Sequence, residues 1–81
     1  MPKKRKVRSK RLKRLERLAR TAAVLRLRGK IDRAMSYENE IERIENQIGR
    51  SSNPGETEGT AFAAVNRGQE AGRKIYQKLG R

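Results

Sequence analysis

The sequence predicts an all-α protein: a disordered basic arm over residues 1–9, a basic amphipathic helix over 10–29, then an antiparallel helical hairpin over 30–81. The hairpin's helices are expected near 30–48 and 54–79. Three observations carry this. Apolar residues recur at helical spacing in three stretches. Glycine and turn formers separate those stretches at Gly29 and between Gly49 and Gly55. Charge is segregated: residues 1–30 hold 14 basic and one acidic residue, while residues 31–81 hold eight of each.

The arm, Met-Pro-Lys-Lys-Arg-Lys-Val-Arg-Ser, is a run of like charge with Val7 as its one aliphatic branch, so it repels itself and has nothing to bury. In the next stretch Leu12, Leu15, Leu18, Ala19, Ala22 and Leu25 fall on one side of a helix, and Lys10, Lys13, Arg14, Arg17, Arg20 and Arg28 on the other. Ser9 is a candidate N-cap. Gly29 either ends this helix or weakens a longer one at about 1 kcal/mol.

Residues 30–48 carry Ala34, Tyr37, Ile41, Ile44 and Ile48 at alternating spacings of three and four, the seam of a helix that packs on another helix. After the turn formers, Asn53-Pro54-Gly55-Glu56 reads as an N-cap, a proline at the first helical position and an acidic residue in the first turn. The third helix shows small residues on its inward side at Ala61, Ala64, Gly68, Ala71 and Gly72, with Phe62, Val65, Ile75, Tyr76 and Leu79 around them; Gly80 is its expected stop. This small face is expected to stack on the isoleucine seam. Expected core or interface residues are Ala34, Tyr37, Ile41, Ile44, Ile48, Ala61, Ala64, Gly68 and Ile75. A hairpin with so few large apolar side chains is marginal alone, which predicts a homodimer through the seam or folding on a larger assembly.

Composition narrows the function classes. With no Cys and no His among 81 residues, thiol nucleophiles, the usual zinc sites and histidine acid–base chemistry are excluded, and nothing calls for a cofactor or a small-molecule substrate. No apolar run approaches a transmembrane span. Glu38, Glu42 and Glu45 share a helix face near Asp32, a pattern that fits a solvated or Arg-paired face better than a metal site, whose ligands usually come from more than one element. Gly55-x-x-x-Gly59 has the spacing of a membrane dimerisation motif, but sits in a polar segment. The basic stretch is no basic zipper: its leucines interrupt the cationic face and the seam spans about two heptads.

The segregated charge is the footprint of a nucleic-acid binder, because each neutralised phosphate releases counterions and many weak contacts accumulate. The expected function is therefore non-catalytic: a nucleic-acid-binding or nucleoprotein accessory protein gripping phosphates through Lys3, Lys4, Arg5, Lys6, Arg8, Lys10, Arg11, Lys13, Arg14, Arg17, Arg20 and Arg28. Arginine outnumbers lysine six to one from Arg11 to Arg28, which suits bidentate phosphate contact. No stacking aromatic lies in the basic part. The rival reading is a protein-interaction adaptor whose basic helix docks an acidic partner or a membrane surface.

Two resemblances add to this. Pro2-Lys3-Lys4-Arg5-Lys6-Val7 resembles a monopartite basic nuclear-import signal, which implies a nuclear location in a eukaryotic host. The segment Ile41–Tyr76, through Ile-Glu-Arg-Ile-Glu-Asn-Gln-Ile, Ser52-Asn53-Pro54-Gly55-Glu56 and Ala61, Ala64 and Gln69-Glu70-Ala71, resembles a short helix–Asn-Pro-x-Glu–helix domain of unknown function in bacterial and phage proteins. That resemblance implies a helical hairpin and a cytoplasmic or nucleoid setting, and no activity.

Overall fold

A computed structural model of the chain describes residues 10–50 and 55–79. They form three helices, α1 (Lys10–Leu27), α2 (Ile31–Gly49) and α3 (Glu58–Leu79), and no strand among the described residues. The arm, the Ser9 cap, Asn53, Pro54 and the Gly80 stop lie outside these residues.

Gly29 is a true helix stop. It sits at φ +83°, where a side chain is strained, and its N–H donates to the Arg26 carbonyl at 3.1 Å. The Lys30 N–H reaches back to the Leu25 carbonyl at 2.8 Å. This pair of bonds satisfies carbonyls that the end of a helix leaves open and turns the chain sharply. As a result α2 folds back along α1, a hairpin-like pair.

The third helix starts later than its Asn-Pro-Gly-Glu signal implies. Thr57 caps it: the Thr60 N–H donates to Thr57 Oγ1 at 3.1 Å, and the Thr57 N–H to Thr60 Oγ1 at 2.9 Å. The two hydroxyls thus satisfy amides on both sides of the helix start, which leaves Gly55 and Glu56 in the preceding turn.

The partner of the small face also differs from the expectation. α1 is the middle helix: it packs along both others, most extensively along α3, whereas α2 and α3 touch little. Gly68 lies against the backbone of Glu16 and Arg20. A Cβ at Gly68 would stand 2.7 Å from the Ala19 Cβ, and one at Gly72 would stand 2.7 Å from the Arg20 carbonyl oxygen. Those approaches pair increasing residue numbers on both helices, so α3 runs parallel to α1. The isoleucine seam of α2 faces α1 instead.

The core accordingly draws on all three helices: Leu12, Leu15 and Ala19 from α1, Ile41, Ile44 and Ile48 from α2, Ala61 and Ala64 from α3, with Leu18 and Val65 at its edge. Ala22 and Ala34 are buried beside it. Because α1's leucines cover the seam within one chain, the seam is not free to receive a second copy. Two expected core residues are surface ones, Tyr37 and Ile75, each 37% exposed. Tyr37 keeps its polar tip toward water. Nothing in the structure explains the exposure of Ile75.

The glycine contact gives a test whose sign opposes helix propensity. In an isolated helix Gly→Ala stabilises by up to about 1 kcal/mol. Here Gly68→Ala or Gly72→Ala is expected to destabilise by about 1–3 kcal/mol, because the new methyl collides with backbone of α1. Gly59→Ala, whose Cβ would meet only Thr57 Oγ1 at 3.7 Å, should be neutral or mildly stabilising. Denaturant melts of the three variants check this; stabilisation at Gly68 or Gly72 would contradict the close approach.

Candidate nucleic-acid interface

The position of α1 divides its cations into two groups. On the side toward α2 and the α3 entry turn, arginines meet carboxylates. Arg11 Nη1 donates to Glu56 Oε1 at 2.8 Å, Arg26 holds Glu38 with two bonds of 2.6 and 2.9 Å, and Arg14 reaches Glu40 at 3.4 Å. Arg43 also contacts Glu40 at 3.2 Å, and on the other flank Arg67 approaches Glu16 at 3.5 Å.

Away from these contacts, Lys10, Lys13, Arg17, Arg20 and Arg28 are exposed and make no ion pair among the described residues. The first four recur three or four residues apart, so they line the side of α1 that no other described residue covers, and Arg28 follows the end of the helix. Near its start, Lys10, Lys13, Arg14 and Arg17 surround a shallow concavity of about 380 Å³ with the Leu18 stem as its apolar part and no carboxylate. Such a surface carries a positive field that α2, with both signs interleaved, does not. Of the sequence-predicted site residues, then, Lys10, Lys13, Arg17 and Arg20 share one side of α1, and Arg28 lies beyond it in the Gly29 turn, beside Leu27, Tyr76 and Leu79. Arg11 and Arg14 lie toward the carboxylates, and Lys3, Lys4, Arg5, Lys6 and Arg8 fall outside the described residues.

Glu56 is the residue that sequence reasoning misplaced. It reads as a first-turn helix residue, yet it is only 6% exposed and accepts from Arg11, 45 positions away. A buried carboxylate needs such a partner. A signal was available: Arg11 intrudes on the apolar side of its helix, where a cation requires a matching anion. Among the described residues no three potential metal ligands gather. The Arg26 hydrogen bond holds the Glu38 carboxyl below the ordinary carboxylate range, and the same bond raises Arg26.

A second feature is a recess of about 300 Å³ where α2 and α3 stand apart over Ala19, Ala22 and Ala23. Among the described residues, no helix is long and apolar enough to cross a membrane. No family model matches the chain, and neither a curated protein nor a solved structure matches it.

Two outcomes are expected. Arg11→Met removes one partner of the buried Glu56 carboxylate and should destabilise by about 1–2 kcal/mol, whereas Arg17→Met on the open side should stay within about 0.5 kcal/mol. Equal melts would mean that Glu56 does not depend on Arg11. A carboxyl with a lower pKa in the folded state stabilises the fold above its unfolded pKa, and this contribution disappears as pH falls through the folded value. Glu38→Gln should therefore lower the melting temperature at neutral pH but not in strong acid, so the gap between parent and variant closes as pH drops below the ordinary carboxylate range.

Proposed function

We propose that the protein is a non-catalytic nucleic-acid-binding or nucleoprotein accessory factor that grips phosphates through the open side of α1. The observation that carries this is the one-signed face: Lys10, Lys13, Arg17, Arg20 and Arg28 remain without ion pairs among the described residues, although carboxylates of α2 pair with other arginines of the same helix. A face needed only for solubility has no reason to exclude acidic residues. One that neutralises phosphates does, because each contact adds a counterion-release gain. The basic residues of the arm extend the same charge in sequence. No base-reading or base-stacking signature accompanies them, so the contact is to backbone and is non-specific.

A second reading has its own support. Leu27, Ile31, Met35, Ile75 and Leu79 are exposed, and Leu27 and Leu79 share a recess with Arg28 and Tyr76 at the Gly29 end of the bundle. An apolar patch beside a cation suits an acidic amphipathic partner or an anionic membrane surface, the interaction-adaptor role. It is also the apolar surface left for self-association, now that the isoleucine seam is covered.

Titration of the full chain against random duplex DNA and against structured RNA decides between them. Engagement of about five phosphates gives a log–log salt slope near −4.5 on duplex DNA. A flat salt response, or no complex at low salt, overturns the nucleic-acid reading; retention of a protein partner from nuclease-treated lysate, or of anionic vesicles, would then favour the second.

A further inference from the structure

We infer that the phosphate-gripping surface is the shared edge of α1 and α3, with Lys74 and Lys78 of α3 holding the same phosphodiester strand as Arg17 and Arg20 of α1. This rests on the nucleic-acid reading above and adds residues that the sequence placed in a neutral body.

The argument starts from the glycine contact. Gly68 and Gly72 set the α3 backbone directly on the backbone of α1 at Glu16, Ala19 and Arg20, a closer approach than side-chain packing ordinarily allows. The two helices run in the same direction, so cations on adjoining edges stay in step along the axis. Arg67 fixes which edge of α3 adjoins which edge of α1: its Nε lies 3.5 Å from Glu16 Oε1. Lys74 and Lys78 stand seven and eleven positions after Arg67, which puts them on that same edge over a span of about 17 Å. On α1, Arg20 is one turn beyond Glu16 along the adjoining edge, and Arg17 lies next to it on the open side.

Cations outnumber carboxylates along this edge. Its carboxylates are Glu16, with Arg67 beside it, and Glu70, one turn before Lys74; Arg20, Lys74 and Lys78 make no ion pair among the described residues. Two rows of like charge brought together by a backbone contact repel one another and weaken the fold. On the α1–α2 side the chain avoids this by setting carboxylates opposite arginines. A polyanionic strand lying along the edge removes the repulsion that folding creates there. The successive cations one turn apart match a ligand whose charges also repeat along a line.

The test uses the full chain with four proteins: the parent, Lys74→Gln/Lys78→Gln, Arg17→Gln/Arg20→Gln, and Arg43→Gln/Arg50→Gln, which removes equal charge from α2 and its C-cap. Affinities for a short random duplex DNA and for an RNA hairpin are measured across a salt series by fluorescence anisotropy. Melting temperatures close to the parent's establish that the exposed substitutions leave the fold in place.

Loss of two phosphate contacts lowers the magnitude of the salt slope by about 1.8 and the affinity at 0.1 M salt by roughly 50-fold. That loss is expected for the Lys74/Lys78 and Arg17/Arg20 pairs on at least one of the nucleic acids, which identifies the strand bound, and not for the Arg43/Arg50 pair. If Lys74/Lys78 behaves like Arg43/Arg50 while Arg17/Arg20 loses slope, the edge inference is wrong and the grip belongs to α1 alone. If the parent itself shows no salt-dependent binding, the nucleic-acid reading has failed.

Discussion

Gly68 and Gly72 let one helix backbone lie against another, and the rest of the bundle is arranged around that contact. A glycine inside a helix lowers its stability by roughly 1 kcal/mol relative to alanine, so two of them one turn apart weaken α3 as an isolated helix. What they permit is a dense interface from very small side chains: Ala19, Ala23, Ala61 and Ala64 pack where larger residues would hold the helices apart. Many close atom pairs then replace the few large apolar groups that the chain lacks. The large side chains, Leu12, Leu15, Ile41, Ile44 and Ile48, join Ala19, Ala61 and Ala64 in one core shared by the three helices. The middle helix therefore meets small residues of α3 and branched aliphatic residues of α2.

Burying two flanks of α1 leaves one side open, and this geometry sorts its charges. Arginines at the margins of the buried stripe reach carboxylates on neighbouring segments, as Arg11 reaches Glu56 and Arg26 reaches Glu38. Pairs of this kind at an exposed margin add little stability, since solvent screens them and holding long side chains costs entropy. Glu56 is the exception in kind: the carboxylate is buried, and its pairing matters chiefly because leaving it unpaired would be costly. The acidic face of α2, which in isolation looks like a solvated surface or a weak cation site, thus serves in part to counter the inner arginines of α1.

Much of the helical content was legible in the sequence, because periodicity and terminators act locally. Gly29 can be read as a stop from its neighbours, and the burial of Ile41, Ile44, Ile48, Ala61, Ala64 and Gly68 follows from their spacing. Periodicity identifies a face but does not say which other face meets it. The small face of α3 and the seam of α2 look complementary, yet each has a better partner in α1, whose leucine and alanine positions supply a flank for each. The basic residues of α1 obscured this, since a strongly cationic helix reads as an outlying one. The α3 start was missed for a related reason. Asn53-Pro54 and Thr57 are both credible caps, and the choice depends on where Glu56 is held, a long-range contact to Arg11 that no local pattern encodes. The site was legible as a set of cations but not as a surface, because the side of α1 on which each residue falls depends on two helices that follow it in sequence.

The same sorting bears on why the open side carries one sign. Net charge is a property of composition, and a chain of this length would be soluble with far less than +13. On α2 the exposed positions interleave Asp32, Arg33, Glu42 and Arg43, which shows that this chain can alternate signs where a helix faces water. Lys10, Lys13, Arg17 and Arg20 on the open side of α1, and Arg28 just after it, do not alternate, and the one acidic residue of that helix, Glu16, is turned toward Arg67 on α3. Helix propensity would accept glutamate at any of these positions equally well, so neither folding nor solubility accounts for its exclusion. The proposed polyanion would supply such a reason: Lys10, Lys13, Arg17 and Arg20 recur three or four residues apart along the side of α1 that no other described residue covers, and a line of phosphates would meet them in turn.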